Sequence, residues 1–134
     1  MPEHYFEPDE VESLIPRLTE IMARVMAAHA EGREARAWLE TEHQRITVAG
    51  GGIVDRAAWR TARERLERCT PLVQDGLQAI QALGGVTKDV EMGLVDFPHR
   101  RQGRVVNLCW RYGETRIGYW HGLDEGYATR KPLP

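Results

Sequence analysis

Leu77-Gln78-Ala79-Ile80-Gln81-Ala82-Leu83-Gly84-Gly85-Val86-Thr87-Lys88-Asp89-Val90 is the stretch on which the fold turns. Before Gly84 the apolar residues recur at intervals of three and four, the spacing that lines one side of an α-helix. After Gly85 the period falls to near two, the alternation of a half-buried strand. A glycine pair at the change ends a helix readily, because the first residue past a helix end favours a left-handed backbone. The chain therefore divides into a helical part, 1–84, and a strand part, 85–128. This is the pattern of an α+β domain.

Upstream, Val11, Leu14, Ile15, Leu18, Ile21, Met22, Val25 and Met26 form one apolar stripe, with Glu12, Arg17, Glu20 and Arg24 outside it. Pro8 followed by Asp9 and Glu10 suits a helix start, by its fixed φ and by negative charge at the positive end of the dipole. Pro16 lacks a backbone donor, so a kink or a short first segment is expected there, and Pro71 predicts a second kink. The stripe continues through Ala35, Trp38 and Leu39 until Gly50-Gly51-Gly52 breaks it. The triplet lacks the lysine and spacing of a phosphate-binding loop and reads as an interhelical turn. Asp55 can cap a second helix, whose stripe runs Ala58, Ala62, Leu66, Cys69, Val73, Leu77 and Ile80. The two make a long antiparallel hairpin.

Bulk properties narrow the function classes. The 134 residues suit one domain with a modest core, and 42% hydrophobic with 28% charged content is ordinary for a soluble globular chain. A net charge of −2 argues against a general nucleic-acid binder. Residues 1–83 hold ten Arg and fourteen acids, whereas residues 84–134 hold eight Lys/Arg and six acids. That slight positive bias permits a small anionic ligand on the C-terminal part. Cys69 and Cys109 form no CxxC pattern, so neither a disulfide framework nor a zinc knuckle is expected, and reduced thiols in a cytoplasmic protein are the simpler reading. Met1-Pro2-Glu3-His4-Tyr5 carries no basic or apolar leader pattern, and no apolar run approaches a membrane span.

Six of the ten aromatics fall between Phe97 and Tyr127, interleaved with Asp96, Arg111, Glu114, Arg116 and His121, which makes this the seat of any site. Strands are expected at Val86–Val90, Leu94–Pro98, Arg104–Tyr112 and Thr115–His121, with turns at Met92-Gly93, Arg101-Gln102-Gly103 and Gly113-Glu114. Residues 129–134 read as an exposed tail, and Arg100-Arg101 and Arg130-Lys131 as solvated charges. A two-residue turn at Gly113-Glu114 pairs Trp110 with Ile117, Leu108 with Tyr119 and Val106 with His121. Aligning Phe97 with Val106 then gathers Val95, Phe97, Val106, Leu108, Trp110, Tyr112, Ile117, Tyr119 and His121 on the helix-facing side. Asp96, Asn107, Cys109, Arg111, Arg116 and Trp120 gather on the other.

This register bears on chemistry. Asp96, Cys109, Glu114 and His121 are all metal-ligand types. Cys109 and His121 project to opposite faces, so no metal or other cofactor is expected; a one-residue bulge would bring them together. His121 reads as a packing histidine paired with Glu125 or Glu114, with a general acid–base role as the alternative. Cys109 has no histidine on its face to activate it and reads as structural. The candidate ligand-binding set is Asp96, Asn107, Arg111, Glu114, Trp120 and His121, around a shallow polar face that is either a pocket or an interface.

Lys88-Asp89, Gly93-Leu94-Val95-Asp96-Phe97-Pro98, Leu108-Cys109-Trp110-Arg111, Gly113-Glu114 and Tyr119-Trp120-His121, with Tyr5-Phe6 and Leu14-Ile15-Pro16 near the start, resemble the uncharacterised prokaryotic domain-of-unknown-function family 2203. The resemblance spans nearly the whole chain. Glu7-Pro8 departs from it, since a threonine or serine before the acidic pair is usual there. A DivIVA-like, cell-division label attached to such chains reflects the helical half, as any long amphipathic hairpin resembles a coiled coil. The resemblance implies a small soluble bacterial protein of unsettled function and transfers no catalytic residue.

The fold expected is a long antiparallel helical hairpin followed by a three- to four-stranded antiparallel meander. The leading functional expectation is a non-enzymatic binding or interaction module, a homodimer through its helical stripes, because so small a sheet leaves apolar helix surface uncovered. The alternative is a small enzyme or an anionic-ligand or metal-binding protein with its site on the meander.

Overall fold

The computed structural model describes residues 3–134; Met1 and Pro2, part of the leader reading, lie outside it. Helix α1 runs Pro8–Val48 and α2 runs Arg56–Ala82, antiparallel to it. Strands β1 (Val86–Asp89), β2 (Leu94–Arg101), β3 (Arg104–Arg111), β4 (Tyr119–His121) and β5 (Lys131–Pro132) form one sheet in the order β1-β2-β3-β4-β5. The α+β architecture is as expected, with five strands rather than three or four. The fifth comes from the segment read as an exposed tail. It pairs with β4, and the Leu133 N–H donates to the Gly118 carbonyl at 2.8 Å. No helix among the described residues is long and apolar enough to cross a membrane.

The helix ends follow local chemistry. Asp55 caps α2, its Oδ1 accepting from the Ala58 N–H at 3.0 Å. At the other end the Gly84 and Gly85 N–H groups donate to the Gln81 and Ile80 carbonyls, with Gly84 at φ +102°. This is the Schellman closure that the glycine pair predicted. Pro16 and Pro71 do not split their helices, which continue through both residues. Each lies on an exposed side, where the carbonyl it leaves free can bond to water.

One face of the sheet packs on the hairpin. Val95, Phe97, Leu108 and Trp110 meet Val11, Ile15, Leu18, Met22, Val25 and Ile80 in a single core. The helical stripe from Val11 to Val25 is thus largely consumed within the chain. Gly76 permits the closest helix approach, since a Cβ there would lie 2.2 Å from Val25 Cγ2. Gly76→Ala is therefore expected to lower stability by about 1–3 kcal/mol in urea unfolding, the overpacking cost exceeding its gain in helix propensity. A stabilised variant would contradict this packing.

Registers decide the second face. Gln102 and Gly103, both at positive φ, form the two-residue β2–β3 turn and pair Phe97 with Leu108 and Asp96 with Cys109. That differs from the expected pairing by two residues, so each side chain keeps its face. Between β3 and β4 the difference is one residue, with Asn107 opposite His121 and Leu108 opposite Trp120. A one-residue change reverses every side chain of the strand. The cause is the connection. Gly113-Glu114 is not a two-residue hairpin turn, and residues 112–118 form an irregular loop held by the Trp110 Nε1–H donating to the Glu114 carbonyl at 3.0 Å. Ile117 drops from that loop into the core.

Candidate metal centre

Three central strands each deliver one ligand-type side chain to the face turned away from the helices. Asp96 stands on β2, Cys109 directly across from it on β3, and His121 on β4, beside Asn107 and one diagonal step from Cys109. One ligand atom from each lies within 4.8 Å of the other two. Asp96, Cys109 and His121 are only 3%, 1% and 3% exposed. Among the described residues this is the only His, Cys, Asp and Glu group of such geometry.

The hydrogen bonds orient these groups. His121 Nδ1 lies 2.8 Å from the Gly122 carbonyl, which can only accept, so Nδ1 carries a proton. The Nε2 atom therefore points at Asp96 Oδ1, 3.0 Å away. Burial raises the Asp96 carboxyl above its ordinary range, against the opposing pull of His121 and then Lys88. Asp96 Oδ2 is fully buried with no hydrogen-bond partner. Burial, and after it the Asp96 charge, push the Cys109 thiol up to about 11. An orphaned carboxylate oxygen beside a buried thiol costs stability unless something fills the gap.

The surroundings are rigid and charged. Arg130 has a side chain only 13% exposed, and its Nη1 and Nη2 donate to Glu114 Oε1 and Oε2 at 3.3 and 2.8 Å. Its guanidinium stacks on Tyr119 at 3.9 Å and Tyr127 at 4.3 Å. Glu114 Oε1 accepts the Arg111 N–H at 2.8 Å, and Arg111 Nη1 donates to the Tyr127 hydroxyl at 2.8 Å. Tyr127 belongs to a 3₁₀ turn, Tyr127–Thr129, that leads into β5.

Several expectations are corrected here. His121 and Cys109, assigned to opposite faces, share one. Trp120 does not stand beside Asp96 and Arg111; it lies on the helix side, part-buried on the core under Arg101 and Lys131. Arg116 leaves the polar face for an ion pair with Glu12 of α1 at 3.6 Å. Arg130 is a packed member of the site rather than a solvated charge. Asp96, Asn107, Arg111, Glu114 and His121 do fall on or around one face. Cys109, Arg130 and Tyr127 were missed as site residues. For Cys109 the signal existed in the ligand-type set Asp96, Cys109 and His121, which needed only the one-residue shift that the 112–118 loop supplies.

A nucleophilic triad does not fit this geometry. It needs one imidazole nitrogen on the thiol and the other on the carboxylate, whereas His121 gives Nδ1 to a carbonyl and Nε2 to Asp96. The same arrangement fits a metal. A ligating histidine characteristically donates its far N–H to a carbonyl, leaving the near nitrogen bare for the ion. Cys, His and Asp supply sulfur, nitrogen and oxygen, a donor set suited to zinc and its neighbours.

No curated protein and no solved structure matches the chain. Residues 4–133 match the model of a family described as uncharacterized conserved protein (DUF2203), and the chain belongs to that family.

Proposed function

We propose that this protein binds one divalent transition-metal ion, of the zinc class, through Asp96, Cys109 and His121. The observation that carries the reading is the buried Asp96 Oδ2, without a partner, in a cluster whose histidine tautomer is already set for ligation. Charge supports it as well. A bound thiolate and carboxylate neutralise a divalent ion, so the buried centre carries no net charge that burial would penalise. Three protein ligands leave the fourth position of a tetrahedral ion open, and the burial of all three keeps that position from a large substrate. A reducing cytoplasm suits a site whose thiol must stay free of disulfide.

The anionic-ligand alternative has less support, because Arg111 is turned to Tyr127 and Arg130 to Glu114. Metal analysis of the purified protein should find about one equivalent. Chelator-stripped protein should melt higher when zinc is restored, by the equivalent of about 2.7 kcal/mol at a hundred times the dissociation constant. Protein that retains no zinc, cobalt, nickel or copper, and gains no stability from any of them, would refute the proposal.

A further inference from the structure

The sheet covers only the base of the hairpin. In α1 the buried positions stop at Ala35, and in α2 they begin at Ala62, so the tip from Arg36 to Arg60 has no third layer. Where the helices meet just below it they do so through Gly32, Ala35, Ala62 and Cys69, small residues that bury little area. A two-helix tip of this kind is weakly stabilised by itself. Along one side of it runs a trough made of three connected hollows. They share Arg36 and Leu66 at one junction and Trp59, Arg63 and Glu67 at the next. Leu39, Ile46, Val54, Trp59 and Leu66 give it an apolar floor.

Two observations say what covers it. Arg36, Glu40, Arg56, Arg60 and Glu64 line the trough and form no ion pair among the described residues, unlike Arg63 with Glu67 or Arg65 with Glu31. Unpaired groups of both signs thus flank one apolar strip, an arrangement that a two-fold axis can bring into opposite-charge contact. Arg36 and Arg60 of one copy can then meet Glu40 and Glu64 of the other. The size also fits. The trough follows α1 from Ala28 to Ile46, roughly 30 Å at 1.5 Å per residue, and two helices side by side are about 20 Å wide. Two such faces bury about 1,200 Å², the lower bound of a specific protein–protein interface.

We infer that the distal half of the hairpin docks on a second copy of this chain, forming a four-helix bundle whose centre is the Trp59–Leu66 trough. The inference is independent of the metal centre, which lies on the far face of the sheet. Sedimentation of the full chain tests it. Wild type should sediment at twice the chain mass in the micromolar range. Trp59→Glu should raise the dimer dissociation constant about 30-fold or more, with an unchanged circular dichroism spectrum. Because that variant could disturb the tip, a second set reverses exposed charges only. Arg36→Glu with Arg60→Glu should weaken the dimer about tenfold, and adding Glu40→Arg with Glu64→Arg should restore it. A monomer at millimolar concentration would overturn the inference. So would a dimer indifferent to both sets, or a fully reversed chain that fails to recover.

Discussion

Cys109→Ser is expected to abolish high-affinity zinc binding while leaving the metal-free fold intact. The substitution removes one sulfur from a position 1% exposed, nearly isosterically. Loss of an outer-shell partner typically costs about 10–100-fold in metal affinity, so loss of the sole thiolate ligand should cost at least about 100-fold. Asp96→Asn should come close to this, since it removes the negative charge as well as one oxygen donor. The pH dependence has a definite sign. Without metal the thiol is held up to about 11, so across the neutral range the ion must displace its proton. Zinc affinity of the wild type should therefore rise with pH by about tenfold per unit for each proton displaced, and fall on acidification as the Asp96 carboxyl, raised by burial, takes up a proton. Loss of the thiol removes one displaced proton, so the residual affinity of Cys109→Ser should climb less steeply. Calorimetric titration at several pH values reads both effects. Equal affinities for wild type and Cys109→Ser would exclude sulfur from the site. The thiol also has a metal-free signature. Its raised folded value contributes stability below the ordinary cysteine range that is lost as pH climbs towards 11, and Cys109→Ser should lose less over that interval.

Trp110→Ala should unfold the protein or nearly so. Trp110 is fully buried at the junction of the two parts, against the α1 stripe and beside Leu108 and Ile117. Truncating a buried tryptophan typically costs about 3–5 kcal/mol, a large share of the stability of a domain this size. A second loss is added here, because the indole N–H is the donor to the Glu114 carbonyl. Removing it frees the 112–118 loop and with it the Glu114 carboxylate that clamps Arg130. Trp110→Phe separates the two losses. It keeps most of the packing and should cost about 1–3 kcal/mol for the unsatisfied carbonyl, together with a weaker zinc affinity through the misplaced loop. Urea denaturation of both variants, read by circular dichroism, checks the order. An alanine variant within about 1 kcal/mol of wild type would show that the core is not centred on this residue.

The parts of the fold legible in sequence are those set by local chemistry. The α1 stripe, the Asp55 cap and the Gly84-Gly85 closure are short-range events, and all three stand where the residues put them. The β2–β3 hairpin kept its faces because its register differed by two residues, which preserves the alternation. The β3–β4 register could not be read, because the loop that sets it is held by Trp110 and by the folded-back Glu114 side chain, contacts that exist only in the folded molecule. One residue of difference was enough to part Cys109 from His121 in sequence and join them in space. Arg130 was illegible for a related reason. Its burial needs the C-terminal segment to return as β5, and nothing in Thr129–Pro134 resembles a strand until Tyr119 and Trp120 offer it an edge.

X-ray absorption at the zinc edge of the loaded protein tests the metal centre most directly. A centre built from Asp96, Cys109 and His121 predicts one sulfur neighbour at about 2.3 Å with nitrogen and oxygen neighbours at about 2.0–2.2 Å, and loss of the sulfur shell in Cys109→Ser. A spectrum with only nitrogen and oxygen around the ion, or one whose sulfur survives that substitution, would contradict it.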